Sequence, residues 1–153
     1  MAIYELKREQ YINAPLEDVW KFFSTPNNLQ KITPDNMTFT ITSPPYDGQV
    51  YNGQIITYKV APILGIPLNW VTEIKDVVPL HLFVDEQKKG PYKIWRHKHI
   101  FTKSGNGVLM QDFVEYKPPM GILGDLANML FIKRQLKEIF DYRKEVVDNI
   151  FNK

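Results

Sequence analysis

Two histidines one residue apart, His97 and His99, are the residues whose type and spacing point most directly to chemistry. Alternate side chains of a β-strand share a face, so both imidazoles would lie beside Trp95 and Phe101. The other face of this segment carries two long cations, which are costly to bury without partners. We therefore expect the histidine and aromatic face to point inward. Two imidazoles between large rings are unusual in a pure core, because they need hydrogen-bond partners, and they suit the wall of a ligand cavity better.

The neighbouring strands are expected to add carboxylates to this face. Keeping the cations outside predicts inward-facing side chains on both sides of the histidine strand: Phe83, Asp85, Gln87, Met110, Asp112, Val114 and Tyr116. One interpretation is a buried network in which the carboxylates only satisfy the imidazoles and fix sheet register. A second interpretation is that the same residues form the polar end of an apolar pocket. The two interpretations are compatible.

Two further interpretations of the same residues involve reaction chemistry. His-x-His with a nearby carboxylate is a possible two-histidine, one-carboxylate metal face, but the spacing is common by chance and no metal or other cofactor is predicted. Alternatively, a histidine that acts as general base and is oriented by a carboxylate would allow the protein to act as a cyclase or isomerase. The residues that would serve it are His97, His99, Asp85 and Asp112. No phosphate-binding loop, dinucleotide glycine pattern or nucleophile-elbow serine supports other chemistry.

The surrounding pattern predicts an α+β domain spanning residues 1–153. A strand over about 3–13 is followed by two short helices, which begin at Pro15 and Pro26. Six antiparallel strands follow, over about 37–43, 54–60, 68–77, 81–87, 92–102 and 108–117, each bounded by turn residues. A helix of about 28 residues, beginning near Leu123, ends the chain. Its apolar stripe is predicted to include Leu126, Leu130, Phe140, Val147 and Ile150.

Composition excludes several classes of protein. The chain has 153 residues, no cysteine and a formal net charge of +2 with interspersed signs, which is too weak for a nucleic-acid-binding surface. No signal-like start and no apolar run of about 20 residues is present, so we expect a cytoplasmic protein without stable membrane insertion. The sequence predicts no oligomeric state. The segment 61–67 is apolar for a hairpin connection, which favours a lid at a cavity mouth, with ordinary packing or a dimer contact as alternatives.

The order of elements resembles the helix-grip fold of the START, polyketide-cyclase and plant pathogenesis-related superfamily, abbreviated SRPBCC. A narrower resemblance is to a bacterial branch loosely labelled cell-division-inhibitor-like. The segments that carry it are Ile12-Asn13-Ala14-Pro15, Val19-Trp20, Ile32-Thr33-Pro34, Gly48-Gln49-Val50-Tyr51-Asn52-Gly53, Trp70, Phe83-Val84-Asp85-Glu86-Gln87, Gly90-Pro91-Tyr92, Trp95 to Phe101, Met110 to Tyr116 and Pro119-Met120-Gly121. The resemblance implies a curved sheet of about seven strands around the C-terminal helix, with an internal cavity. It assigns no reaction to these residues.

We therefore expect a non-enzymatic protein that binds or carries a small hydrophobic molecule with one polar end, such as a lipid, an isoprenoid or a polyketide. The predicted ligand-binding residues are Trp70, Phe83, Asp85, Gln87, Tyr92, Trp95, His97, His99, Phe101, Met110, Asp112, Tyr116, Leu126 and Leu130. One alternative is the cyclase or isomerase described above. Another is a regulator that binds a protein partner, which predicts a filled interior and an exposed apolar surface at 61–67.

Overall fold

A computed structural model describes residues 2–61 and 65–152. Its centre is a seven-stranded antiparallel sheet with the order β1-β7-β6-β5-β4-β3-β2. The strands are β1 (Tyr4–Ile12), β2 (Thr40–Ile41), β3 (Ile55–Val60), β4 (Leu68–Val78), β5 (Leu82–Lys89), β6 (Ile94–Ser104) and β7 (Gly107–Lys117). The first and last strands in the sequence pair along their whole length, from Tyr4 opposite Tyr116 to Ile12 opposite Val108.

Helical elements cover one face of this sheet. Helix α1 (Leu16–Phe23) begins after Pro15 and buries Val19, Trp20 and Phe23, as its i, i+3, i+4 pattern predicts. A 3₁₀ helix follows at Pro26–Ile32. The C-terminal helical segment consists of α2 (Gly121–Ala127), a π-helical turn (Asn128–Ile132) and α3 (Lys133–Phe151). The predicted α+β helix-grip architecture, with a curved sheet around a long C-terminal helix, is confirmed.

The second strand is shorter than predicted. The pattern over 37–43 indicated a full strand, but only Thr40–Ile41 pair with β3. A short 3₁₀ helix occupies Asp35–Met37, and Thr38 then adopts a left-handed conformation with φ 51°. A β-branched residue in that conformation interrupts an extended strand, so pairing begins only after it.

The π turn changes which side chains the C-terminal segment buries. The predicted stripe ran without a break from Leu126 to Ile150, but a π turn holds one extra residue and rotates the preceding helix relative to the following one. Leu126 and Leu130 are exposed as a result. Ile150, near the end of α3, is also exposed. The residues of this segment that are buried after Asn128 are Ile132, Leu136, Phe140, Arg143 and Val147.

Strand parity on the histidine strand follows the prediction. Burial alternates along β6, with Trp95, His97, His99 and Phe101 buried. The register between β5 and β6 is unbroken from Leu82 to Glu86, and the irregularities of β5 lie on its other side, against β4. The inward residues of β5 and β7 therefore meet the histidines directly.

No helix in the described ranges is both long enough and apolar enough to span a bilayer.

Candidate functional site: a cavity with a histidine and aspartate cluster

A cavity of about 180 Å³ lies between the sheet and the helices. Strands β3 to β6 supply one wall, α1 and the 3₁₀ helix a second, and α3 a third. Most lining side chains are apolar or aromatic. The lining side chains include Phe23, Tyr58, Trp70, Phe83, Asp85, Tyr92, Trp95, His97, His99, Leu136, Ile139, Phe140 and Arg143.

One end of the cavity is aromatic. The ring centroids of Trp70 and Trp95 are 5.4 Å apart in an edge-to-face arrangement, and those of Tyr92 and Trp95 are 5.0 Å apart. Tyr58 stacks on Trp70 at 5.7 Å. Its hydroxyl shares a hydrogen bond of 3.0 Å with that of Thr72. Such ring arrangements favour a fixed wall, since each ring restricts its neighbours.

A polar part of the wall lies between Trp95 and Phe83, and strand register builds it. Asp85 of β5 lies opposite His97, and Asp112 of β7 lies opposite His99. The hydrogen bonds cross this register: Nε2 of His97 donates to Oδ1 of Asp112 at 2.7 Å, and Nε2 of His99 donates to Oδ2 of Asp85 at 2.5 Å. Each carboxylate therefore ties together two residues of β6, and we refer to these four residues as the His–Asp cluster.

The two imidazoles of the cluster stack on each other. Their centroids are 3.8 Å apart with the planes inclined by 25°, and Phe83 stacks on the far face of His99 at 4.2 Å. The remaining ring nitrogens are also near carboxylates, with Nδ1 of His97 3.6 Å from Asp85 and Nδ1 of His99 3.5 Å from Asp112. Every imidazole nitrogen of the cluster thus lies within 3.6 Å of a carboxylate oxygen.

Burial and charge together set the ionisation of this cluster. Burial, followed by the neighbouring charge of His97, lowers the pKa of His99 to about 4, although Asp85 opposes the change. Burial alone would raise the pKa of each carboxyl. The pKa of Asp85 is nevertheless held below its ordinary value by His97 and His99, and that of Asp112 by Arg143 and the hydrogen bond from His97. Near pH 7, both carboxylates are ionised and His99 is neutral.

Arg143 brings a buried cation to the cavity from α3. Its guanidinium carbon lies 5.7 Å from the ring centroid of Phe23 and 5.6 Å from that of Phe140, within the range of a cation–π interaction. The positive charge also acts on both carboxylates of the His–Asp cluster. The guanidinium therefore offsets part of the negative charge that strands β5 and β7 bury.

Three buried polar atoms of the cavity wall have no hydrogen-bond partner among the described residues. They are Nε1 of Trp70, Nδ1 of His99 and Nε of Arg143. Since His99 is neutral and donates from Nε2, its Nδ1 is an acceptor facing an acceptor oxygen of Asp112. Trp70 and Arg143 instead have N–H groups without an acceptor. Buried polar groups are normally satisfied, so these two N–H groups are available to an acceptor inside the cavity.

The cluster is not arranged as a metal centre. Candidate ligand atoms of Asp85, His97 and His99 lie within 4.8 Å of one another. The imidazole lone pairs, however, lie in the ring planes, and two stacked, nearly parallel rings direct them side by side rather than toward one point. Both Nε2 atoms already donate to carboxylates.

The structure brings half of the predicted ligand-binding residues to the cavity wall. These are Trp70, Phe83, Asp85, Tyr92, Trp95, His97 and His99. Four others are buried beside the cavity without lining it: Phe101, Met110, Asp112 and Tyr116. Gln87 is half-buried, and its amide holds the backbone of Tyr92 with hydrogen bonds of 2.6 and 3.1 Å.

The prediction that Leu126 and Leu130 roof the cavity is wrong. They are 48% and 67% exposed, because the π turn directs them outward, and α3 supplies the roof instead. The sequence interpretation did not include Leu136, Phe140 or Arg143 among the cavity residues, although Phe140 belonged to the predicted apolar stripe. Their signal was present, since these three and Val147 recur at intervals of three and four residues, the helical period of a buried face.

The predicted lid falls partly outside the described residues. Residues 62–64 of the segment 61–67 are among those that the structure does not describe. Ala61 is buried, Ile66 is 54% exposed, and none of the described residues 61 and 65–67 lines the cavity.

Solved structures share this fold over nearly the whole chain. A protein from Thermus thermophilus has 19% identity and a TM-score of 0.69, covering 94% of this chain and 97% of its own. A START superfamily protein from Mycobacterium smegmatis has 11% identity and a TM-score of 0.66, covering 99% and 98%. The major latex-like protein 151 of Panax ginseng has 12% identity and a TM-score of 0.69, covering 97% of each chain.

These likenesses confirm the predicted START-type, SRPBCC fold. Identities this low show the fold alone. No protein-family model matches the chain, and no curated protein matches its sequence. The narrower resemblance to one bacterial branch stays a prediction.

Proposed function

We propose that this protein binds a small hydrophobic molecule with one polar, uncharged end in the cavity between the sheet and α3. The observation that carries the proposal is the set of unpaired polar atoms in an otherwise apolar cavity wall. An apolar body would fill the space between the aromatic rings, and a hydrogen-bonding end would satisfy the unpaired N–H group of Trp70 or that of Arg143.

The volume of the cavity restricts the size of the ligand. At about 180 Å³ it slightly exceeds the roughly 150 Å³ of an engineered cavity that takes up benzene. A molecule of one or two rings, or a short branched chain, therefore fits without rearrangement. A complete long-chain lipid or a multi-ring polyketide requires either a wider cavity or a part of the ligand left outside.

The charges of the polar end favour a neutral ligand group. Two ionised carboxylates and one guanidinium leave no net positive charge, whichever protonation state His97 adopts. A carboxylate ligand would thus approach the ionised Asp85 without a surplus cation to stabilise it. A ketone, an ester carbonyl or a hydroxyl instead accepts hydrogen bonds from Trp70 or Arg143 at no such cost.

A catalytic role for the His–Asp cluster receives less support. A general base needs a free nitrogen within hydrogen-bond distance of a substrate proton. Here both Nε2 atoms bond carboxylates, and both Nδ1 atoms lie within 3.6 Å of a second carboxylate. Nδ1 of His99 is unpaired, but it faces the ionised Asp112 at 3.5 Å. These contacts favour a cluster that fixes the cavity wall.

The first experiment is native mass spectrometry of the purified protein, with extraction and identification of any co-purifying compound. Titration calorimetry with acetophenone, benzoate and palmitate then tests size and charge. We expect acetophenone to bind and its charged analogue benzoate to bind more weakly. An affinity for benzoate equal to that for acetophenone would contradict the charge argument.

A matched pair of variants tests the location of binding. Ile139→Trp introduces a large ring at the cavity wall, whereas Glu138→Trp introduces it at an exposed position of the same helix. The first variant is expected to abolish acetophenone binding and the second to retain it. If both retain binding, the ligand does not occupy this cavity.

A further inference from the structure

The segment from Met120 to Phe131 exposes an unusual amount of apolar surface. Seven large hydrophobic side chains are between 45% and 83% exposed: Met120, Ile122, Leu123, Leu126, Met129, Leu130 and Phe131. We call this surface the apolar helix face. Single exposed hydrophobic residues are ordinary, but a contiguous group of this size usually marks an interaction site.

The inner side of the same helix is polar, so its amphipathic pattern is reversed relative to that of a core helix. Asp125 accepts a hydrogen bond of 3.0 Å from the hydroxyl of Tyr4, and Asn128 accepts one of 2.7 Å from that of Tyr116. Gly124 packs so closely on Pro119 that an added Cβ would come within 2.0 Å of its carbonyl oxygen. These contacts fix the helix with its apolar side outward.

Cations flank the apolar helix face. Lys133 and Arg134 follow it directly and are exposed, and Lys137 is exposed one turn later. Arg134 pairs with Glu138 at 3.2 Å and Lys137 with Asp141 at 2.7 Å, both as exposed ion pairs that an anionic surface could replace. Lys117 precedes it. Between Lys117 and Lys137 the sequence contains one acidic residue, Asp125, which turns toward the protein body. Among the described residues, Lys117 and Lys133 have no ion pair, so the two ends of the face carry a positive charge.

We propose that the apolar helix face docks reversibly on an anionic lipid surface. Apolar side chains would enter the boundary between headgroups and acyl chains, and the flanking lysine and arginine side chains would contact lipid phosphates. The inference goes beyond the proposed function, because docking requires no ligand in the cavity.

Charge also distinguishes lipid from a second copy of this chain. Two copies joined through the same patch are related by a two-fold axis, so each face and its flanking cations lie against an identical face. The cations flanking one face would then lie near the cations of the other. An anionic bilayer brings the opposite charge to the same residues, which favours lipid as the occupant.

The docked face would lie close to the cavity. Tyr116 holds Asn128 of the π turn, and its ring is 5.9 Å from that of Tyr92, which lines the aromatic end of the cavity. Two side-chain contacts therefore connect the apolar helix face with the cavity wall.

Flotation with large unilamellar vesicles tests the proposal. Vesicles of phosphatidylcholine alone are compared with vesicles containing about one-third phosphatidylglycerol, at low and high sodium chloride concentration. The double variant Met129→Ser, Leu130→Ser removes two of the most exposed apolar side chains. The matched control, Ile3→Ser with Ile55→Ser, removes two side chains of 54% and 51% exposure elsewhere.

We expect the wild-type protein to bind the anionic vesicles, to bind neutral ones less, and to lose binding at high salt. The affinity of the double variant for the vesicles should be lower by a factor of about ten or more, because two long apolar side chains are no longer transferred from water to lipid. The control variant should bind like the wild type. Circular dichroism establishes that each variant is folded.

Three results would overturn the proposal. One is the absence of vesicle binding by the wild type, and another is unchanged binding by the double variant. The third is a wild-type dimer in light scattering that the double variant converts to a monomer, since a second copy would then cover the face. None of these measurements depends on a cavity ligand. The docking proposal can therefore fail while the proposed ligand binding holds, and the reverse.

Discussion

Mild acid should destabilise this protein through the buried imidazole of His99. Its pKa is about 4 in the folded protein and 6.5 in an unfolded chain. Between these values the unfolded chain takes up a proton that the folded protein does not. The free energy of unfolding therefore falls as the pH falls through this window, and the stabilisation is fully present above pH 6.5.

The magnitude follows from the difference in pKa. Each pH unit below 6.5 costs about 1.4 kcal/mol while the folded form stays neutral, so lowering the pH from 7 to 5 removes about 2 kcal/mol. The imidazole is only 4% exposed, so solvent screening reduces this little. Asp85 and Asp112 have lowered pKa values in the folded state, so their own acid destabilisation begins mainly below pH 5.

Urea denaturation at pH 7, 6 and 5 measures this loss. The variant His99→Gln keeps an amide donor toward Asp85 but removes the titrating group, so its stability should depend less on pH, by about 2 kcal/mol over the window. His81→Gln, at an exposed histidine, serves as the matched control. If His99→Gln does not fold, NMR titration of the wild-type imidazole gives the same information. A folded-state pKa for His99 near 6.5, or equal pH dependence of wild type and His99→Gln, would refute the reasoning.

Three further predictions concern the packing and pairing described above. Gly124→Ala should lower stability by roughly 1–3 kcal/mol in thermal or urea unfolding, because its Cβ would collide with the backbone of Pro119; an unchanged midpoint would contradict the close packing. Tyr116→Phe should lower stability by roughly 1–3 kcal/mol, because Asn128 loses its hydrogen-bond donor in a buried site; the loss should be smaller in the background of Asn128→Ala, and equal losses in both backgrounds would exclude this coupling. Arg134→Ala should change stability by less than about 0.5 kcal/mol, because its ion pair with Glu138 is exposed; a larger loss would show that the pair is worth more than its exposure indicates.

Much of the fold was predictable because it depends on local signals. Turn residues bound each strand of the meander, alternation along β6 assigned its two faces, and Pro15 marked the start of α1. These signals act over a few residues, through backbone geometry and the cost of burying charge. The pairing of His97 and His99 with two aspartates was likewise expected, since strand parity limits which side chains share a face.

The tertiary structure decided which partner each group takes and which helix covers the cavity. Parity predicted only that the aspartates and histidines share a face. The folded sheet places Asp85 opposite His97, yet the carboxylate of Asp85 bonds His99 instead. Such a choice depends on side-chain rotamers and on neighbouring ring stacking, which spacing does not encode.

The sequence pattern was likewise insufficient to predict which helical residues cover the cavity. The helical pattern placed Leu126 and Leu130 inside, but a single π turn rotates them into solvent and brings Arg143 of α3 to the cavity wall. The order of elements and the inward face of each strand could be predicted from the sequence, because they depend on residues close in the chain. Which side chains of the C-terminal helix face the cavity, and how large the cavity is, depend on how the whole helix packs against the sheet. Neither can be read from short-range patterns in the sequence.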